Sequence, residues 1–258
     1  MSDSNNSTPQ PSRGLNFNAL KEHVIAHKVD CGLWAMRVLV ILFSLAYFIP
    51  IFIHSQSAYY KVLIANAAIS ALRLHQRLGR VQFSREFLSN LLSEDSGHYL
   101  FYSLIFIYVA PTTLVLVPVL LFAILHASSY SLTLLDTLGQ NSWWGCRLLI
   151  SFVEFQSLNI LRLVALSEIL LMPYTVVLAL FGSAGILTPF IYYNFLSQRY
   201  ISRRNPYTRN MFREIRLLYE HIANKPSVPQ FVKTAIFSII AFVCKLAPPV
   251  VTTPPPQQ

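Results

Sequence analysis

The stretch YLFYSLIFIYVAPTTLVLVPVLLFAIL, Tyr99–Leu125, holds 27 consecutive residues without an Asp, Glu, Lys, Arg or His. A straight helix of this length rises about 40 Å, which exceeds the ~30 Å hydrocarbon core of a bilayer. Pro111 and Pro118 each remove a helical hydrogen bond, and a membrane helix tolerates this when neighbouring groups satisfy the freed carbonyls. The stretch therefore predicts a kinked transmembrane helix over 99–125, in preference to a core helix of a soluble domain.

Composition supports the same class of protein. Of the 258 residues, 54% are hydrophobic and only 12% are charged, whereas soluble proteins average about 25% charged residues. The formal net charge of +9 comes from basic residues beside apolar segments. Such residues attract anionic lipid headgroups, so the sequence favours a membrane surface over nucleic acid as the partner.

Three more spans are expected, over 33–53, 57–74 and 158–181. The second is ambiguous because it contains Lys61 and Arg73, and an amphipathic helix on the cytosolic face is the alternative. Residues 128–155 are expected to form a polar connection, and 186–196 is too short to cross, which indicates an interfacial or re-entrant segment. The predicted fold class is all-α: a polytopic helical membrane protein with four, alternatively three, transmembrane helices over 21–198 and C-terminal amphipathic interfacial helices.

The segment 199–247 carries nine Lys or Arg and two Glu. Two amphipathic helices are predicted there, the first beginning near Pro206 and the second after Pro229. Such helices lie in the membrane interface with their apolar faces buried among lipids. The expected membrane-binding residues are Arg203, Arg204, Arg209, Phe212, Arg213, Ile215, Arg216, Tyr219, Ile222, Phe231, Lys233, Ile239, Phe242 and Lys245. The flanking segments 1–20 and 248–258, rich in Ser, Asn, Pro and Gln, are expected to be disordered.

A second basic feature follows the ambiguous span. Arg73, Arg77 and Arg80 recur at i, i+4 and i+7, and Arg85 comes shortly after. This spacing predicts a cytosolic basic face. If 57–74 crosses the membrane, both termini are cytosolic; with three spans, the N-terminus lies in the lumen.

Chemistry-bearing groups are sparse. Glu168 lies in the middle of a predicted span, so it must point into the bundle, either as a packing contact with another helix or as part of a proton relay. Cys31, Cys146 and Cys244 lack the spacing of a metal site, and no catalytic constellation or phosphate loop is present in the sequence. No cofactor, metal or enzymatic activity is expected.

Four stretches carry a family resemblance: SALRLHQRL (70–78), EDSGHYLFYSLIF (94–106), PFIYYNFLSQRY (189–200) and SRRNPYTR (202–209). Together they resemble the transmembrane protein 33 family and its fungal pore-membrane relatives, over roughly residues 20–247. The resemblance implies a non-enzymatic membrane protein of the endoplasmic reticulum and nuclear envelope. It also implies links to reticulons and tubule shaping, to nuclear pore assembly and to the unfolded-protein response.

The residue pattern and the resemblance together predict a protein that organises membrane shape through a helical anchor and a curvature-binding basic tail. The expected partners are the bilayer with its anionic lipids and, from the resemblance, reticulon-type and nuclear pore membrane proteins, with homo-oligomers left open. Two alternatives remain: a transporter or proton relay centred on Glu168, and a regulator of the unfolded-protein response acting through protein partners.

Overall fold

A computed structural model describes residues 15–51, 53–79, 84–140, 143–202 and 204–248. Every regular element within these ranges is an α-helix, which confirms the all-α class. The helices are α1 Phe17–Ala26, α2 Lys28–Phe48, α3 Ser55–Leu78, α4 Arg85–Ser93, α5 Asp95–Ile107, α6 Thr113–Thr137, α7 Trp144–Leu180, α8 Thr188–Ile201, α9 Tyr207–Ala223 and α10 Gln230–Leu246. The disorder expected up to residue 20 is wrong at its end, because the Asn16 side chain accepts a hydrogen bond from the Ala19 amide and caps α1.

The single kinked helix expected over 99–125 is also wrong. The chain forms two helices there, α5 and α6, which are separated at 108–112. Pro111 supplies the physical reason, since it lacks an amide proton and disfavours helical geometry in the preceding residue. Thr112 has extended backbone geometry and precedes the new helix. Pro118, in contrast, is accommodated inside α6.

Three helices in the described ranges are long and apolar enough to cross a membrane, namely α2, α6 and α7. The ambiguous segment 57–74 lies within α3, which is not among these three, so length and composition match the three-span alternative. The polar connection expected over 128–155 is mostly helical, because α6 continues to Thr137 and α7 already begins at Trp144.

Each of the three long helices has a neighbour in the chain that runs back toward its other end. Helix α3 packs beside α2 and α8 beside α7. Helix α6 packs chiefly against α2 and α7 and is reached from α5 by the side chains of Tyr99 and Tyr102. We call α2/α3, α5/α6 and α7/α8 the first, second and third hairpins. Their connections meet at one end of the bundle, which we call the loop end. The Tyr47 hydroxyl lies 3.2 Å from the Thr113 hydroxyl, and the Ala110 amide donates to the Ser183 carbonyl at 3.1 Å. The opposite, terminal end carries α1, α4 and α9.

The core of the bundle is aromatic. Tyr102, Phe106, Tyr192 and Phe195 are buried together, with ring centroids of contacting pairs 4.8, 5.3 and 5.5 Å apart, and Tyr59 is buried in the same core. Tyrosine hydroxyls in this cluster donate to backbone carbonyls, as from Tyr102 to Val115 at 2.7 Å. In an apolar environment every backbone polar group needs such a partner, so these tyrosines fill the core without leaving hydroxyls unpaired.

Charged residues are concentrated toward the terminal end. The part of the bundle near the loop end contains α5 after His98 and α8 before Arg199, and neither segment carries a charged residue. Lys61 is the exception, and it lies over the Phe43 ring at 5.5 Å. These segments, 99–107 in α5 and 188–198 in α8, are 9 and 11 residues long, so this charge-poor part is about 15 Å deep.

Candidate functional site: the tail hairpin and the buried polar cluster

The tail folds into the two helices expected from the sequence, α9 and α10. They pack against each other, and we call this pair the tail hairpin. The Asn205 side chain accepts a hydrogen bond from the Tyr207 amide at 3.2 Å, and Pro206 directly precedes α9. This is the helix start that the Asn-Pro pair predicts. Arg199, which was assigned to the tail, belongs instead to α8, where its side chain is buried in the bundle.

The apolar face of α9 packs against protein. Thr208 and Met211 are buried, and Phe212 contacts the main core and lies edge-on to Tyr200. Ile215 and Ile222 are half-buried on the same side, whereas Tyr219 is exposed. The expected membrane face of this helix is therefore largely occupied by the bundle, chiefly by α7.

Ion pairs fix α9 along α7. Arg162 donates to Glu214 at 2.6 Å, while Arg216 donates to Glu220 on its own helix at 2.7 Å. Arg213 is exposed and Arg209 is half-buried. Exposed pairs of this kind contribute at most about 1 kcal/mol each, so the packing of the apolar face provides most of the attachment.

None of the 17 residues of α10 is buried, whereas α2, α3 and α5 to α9 all contain buried residues. Helix α10 touches α9 through a half-buried side formed by Val232, Lys233, Ile236 and Ile240. The opposite side exposes the expected apolar stripe of Phe231, Ile239 and Phe242. Lys245 is exposed near the end of the helix. An uncovered apolar helix face of this size is typical of a membrane or protein contact.

Of the four arginines expected to form a cytosolic basic face, the two on α3 contact other parts of the protein. Arg73 is half-buried and faces the inside of the bundle, while Arg77 pairs with Glu94 at 2.5 Å. Helix α3 ends at Leu78, so Arg85 belongs to a different helix, α4. Arg80 and, in the tail, Arg203 lie outside the described residues.

Glu94 joins two parts of the chain that are distant in sequence. Its carboxylate accepts from Arg77 on α3 and from Arg204, which begins the tail. Arg204 was expected to contact lipid, and the structure gives it this protein partner instead. Burial would by itself raise the pKa of Glu94, but the hydrogen bonds and charges of the two arginines lower it below its usual value.

Glu168 is fully buried within a polar cluster that also contains Tyr99, Arg199 and Thr208. The Tyr99 hydroxyl donates to its carboxylate at 2.6 Å, the Arg199 Nε at 3.1 and 3.2 Å, and the Thr208 hydroxyl at 3.2 Å. Arg199 also donates to Asp95 at 2.9 Å. This is the packing contact with other helices that the sequence reading allowed, and it links α5, α7, α8 and α9.

Sequence reasoning did not find Arg199 as the partner of Glu168. One signal was present, because no charged residue separates Glu168 from Arg199 in the chain. Two opposite charges at the two ends of a charge-free helical hairpin are well placed to pair when the hairpin closes. Each of the four side chains of the cluster makes at least one hydrogen bond within it, so the cluster is suited to holding helices together.

An all-helical bundle with three helices able to cross a bilayer, a charge-poor end and an exposed apolar tail helix defines a helical membrane protein. The profile of the family described as Transmembrane protein 33/Nucleoporin POM33 matches residues 11–249. The chain belongs to this family.

Curated relatives agree with this assignment. Krueppel homolog 2 of Drosophila melanogaster is 57% identical over 89% of this chain and 82% of its own length. Transmembrane protein 33 of Rattus norvegicus is 43% identical, and that of Homo sapiens 42% identical, each over 97% of this chain and 100% of the relative. No solved structure matches.

Proposed function

We propose that this chain is a non-enzymatic membrane-organising protein of the endoplasmic reticulum and nuclear envelope. Its helical hairpins anchor it, and α10 lies flat on the cytosolic membrane surface. A protein of this kind acts through physical shape, by inserting apolar volume into one leaflet and by binding other membrane proteins. The family description that includes a nucleoporin supports nuclear pore proteins as partners, and the sequence resemblance supports reticulons.

The hairpin arrangement supports the anchoring part of the proposal. Each long apolar helix has a returning partner, and α5 and α8, with 13 and 14 residues, are about 20 Å long. This is less than the ~30 Å core of a bilayer. The second and third hairpins, each with one arm of this length, occupy the cytosolic leaflet more than the opposite one. Such unequal occupancy favours a membrane that curves toward the cytosol.

Large apolar side chains at the loop end support insertion in this direction. Tyr108, Phe181, Ile186 and Leu187 are all strongly exposed on the connections there. Their exposure to water would be costly, at roughly 25 cal/mol per Å² of apolar surface, whereas lipid chains remove the cost. Because an even number of helices runs between the two ends, α1 and α9 share the terminal end, which favours cytosolic positions for both termini.

The observation that carries the proposal is α10, which exposes Phe231, Ile239 and Phe242 while none of its residues is buried. The full-length protein should form narrow tubules when it is reconstituted into giant vesicles that contain anionic lipid, which attracts basic side chains. The variant Phe231→Ser/Phe242→Ser should lose most of this activity, and Phe231→Leu/Phe242→Leu, which keeps the apolar surface, should retain it. Tubulation by the serine variant at the wild-type level would contradict the role of α10.

The proton-relay alternative has less support. Glu168 is held by three donors and is paired with Arg199, and a carboxylate fixed in this way by an arginine is a poor proton carrier. No feature of the described residues specifically favours the stress-response alternative over the shaping role.

A further inference from the structure

A cavity of about 200 Å³ lies inside the bundle between α2, α3, α5, α6 and α8. Four arginines contribute to its wall: Arg37, Arg73, Arg77 and Arg199. Only one carboxylate, Asp95, lines it as well. The cavity is therefore strongly cationic and lies apart from the tail hairpin, on which the proposed membrane-shaping role depends.

Two of these arginines have carboxylate partners and two do not. Arg199 is neutralised by Glu168 and Asp95, and Arg77 pairs with Glu94. Arg37 and Arg73 make no ion pair within 4 Å in the described part of the chain, although Asp30 attracts both from a greater distance. The excess positive charge of the cavity is thus located on Arg37 and Arg73.

Both side chains are placed where an unpaired charge is costly. Arg37 is 6% exposed, and the Nε of Arg73 is buried without a hydrogen-bond partner. Both guanidinium groups line the same cavity, where their like charges repel each other. A buried guanidinium without a partner is unfavourable, and two that repel are more so. An anion between them would remove both costs.

One side of the remaining wall is apolar, while Asn66, Ser70, Ser96, Tyr99, His126 and Asn205 add uncharged polar side chains elsewhere. Val40, Ile69, Val119, Phe122 and Ala123 continue the cavity toward the charge-poor part of the bundle. A site that is cationic on one side and apolar on the other matches an amphiphile with an anionic head. Guanidinium groups bind phosphate oxygens with particular strength, because they donate two parallel hydrogen bonds.

We propose that this cavity is a binding site for a phosphate group, which is held between Arg37 and Arg73. The phosphate is either the headgroup of a membrane lipid whose acyl chains follow the apolar wall, or a free phosphate from the aqueous phase. The volume suits a small head such as a phosphate monoester better than a bulky one, since pockets for drug-sized ligands measure about 300–1,000 Å³. Bound phosphate would join α2 to α3 and so rigidify the first hairpin.

Thermal unfolding of the full-length protein in neutral detergent micelles tests the proposal. The probes are dioctanoyl phosphatidic acid, dioctanoyl phosphatidylcholine and inorganic phosphate, with sodium chloride at matched ionic strength as the reference. At concentrations near 100 times the dissociation constant, the binding probe should raise the unfolding midpoint by about 5 °C or more. Stabilisation by phosphatidic acid alone identifies a lipid headgroup, and stabilisation by inorganic phosphate as well identifies a free phosphate.

Two double variants make the test specific. Arg37→Gln/Arg73→Gln should lose the response, and without probe it should be no less stable than wild type, because it removes two repelling charges. Arg85→Gln/Arg147→Gln changes the same charge at two exposed positions and should respond like wild type. A missing wild-type response, a full response in the first variant, or loss of response in both variants would overturn the site.

A photoactivatable phosphatidic acid gives a readout that does not depend on the stability of a variant. After irradiation with the wild-type protein, cross-links should map to peptides from α2, α3 or α6 that line the cavity. Cross-links confined to α9 and α10 would show that the anion binds only the tail, and the proposal would be wrong.

Discussion

The Arg199 guanidinium lies 3.1 Å from the Glu168 carboxylate, and both side chains are almost completely buried, at 1% and 0% exposure. Arg199 is near the end of α8 and Glu168 is in the second half of α7, so the pair closes the third hairpin. Thr208 and Asp95 extend it to α9 and α5. The tail hairpin is thereby connected to the interior of the bundle.

Replacing Arg199 should destabilise the protein strongly. Arg199→Gln leaves the Glu168 carboxylate buried without a compensating charge, and breaking a buried pair in this way costs about 3–5 kcal/mol. Thermal or denaturant unfolding in detergent micelles measures the loss. The double variant Glu168→Met/Arg199→Met removes both charges and should recover much of the stability. Equal losses in the single and double variants would show that the charge pair is not the cause.

The two tyrosines beside this pair should differ in their contribution. Tyr99 donates to the ionised carboxylate of Glu168, whereas Tyr192 donates to the backbone carbonyl of the same residue at 2.8 Å. Hydrogen bonds to charged groups contribute about 1.5–3 kcal/mol and neutral ones about 0.5–1.5 kcal/mol. We expect Tyr99→Phe to lower the unfolding free energy more than Tyr192→Phe. The reverse order would argue against an ionised Glu168.

The contact of Glu94 with Arg77 and Arg204 should depend on pH. Its pKa is lower in the folded protein than its ordinary value of 4.5, so folding favours the ionised form. The stabilisation is complete above about pH 4.5 and is lost as the pH falls through the lowered pKa. Because both arginines are about half exposed, the effect is at most about 1 kcal/mol.

Unfolding midpoints of wild type and Glu94→Gln between pH 3 and 7 measure this contribution. The difference in favour of wild type should shrink as the pH falls. Glu86→Gln, which alters an exposed carboxylate on α4, serves as the control. A difference between wild type and Glu94→Gln that grows on acidification would contradict the assignment.

Both ends of the chain should be accessible from the cytosol. Of the helices that the structure describes, only α2, α6 and α7 are long and apolar enough to cross the membrane by length and composition. Helices α3, α5 and α8, however, run in the opposite direction between the same two ends, so α1 and α9 share one side of the bundle. Epitope tags at either terminus should be stained in cells whose plasma membrane alone is permeabilised with digitonin. An N-terminal tag that is stained only after the endoplasmic reticulum membrane is opened would require an odd number of crossings.

The helical class and the two tail helices could be predicted from the sequence, because hydrophobic runs and helix-ending residues are local signals. The division of 99–125 could not be located in advance, since Pro111 and Pro118 are equally disruptive by themselves and only packing decides which one ends a helix. The roles of Arg73 and Arg204 also depend on partners far away in the chain. The same holds for the docking of α9, whose periodicity fits a protein surface as well as a lipid surface.

The most direct test of the central claim is the depth of α10 in a lipid bilayer. An environment-sensitive fluorophore is attached at Phe242→Cys in a Cys31→Ala/Cys146→Ala/Cys244→Ala background. The control protein keeps Cys244 and carries Cys31→Ala/Cys146→Ala, and its label is attached to Cys244. This cysteine is exposed beside Arg216 on the side facing α9. In anionic vesicles with nitroxide-labelled acyl chains, we predict strong quenching of the label at 242 and weak quenching at 244. Equal and weak quenching at both positions would show that α10 does not insert, and the proposed mechanism would be wrong.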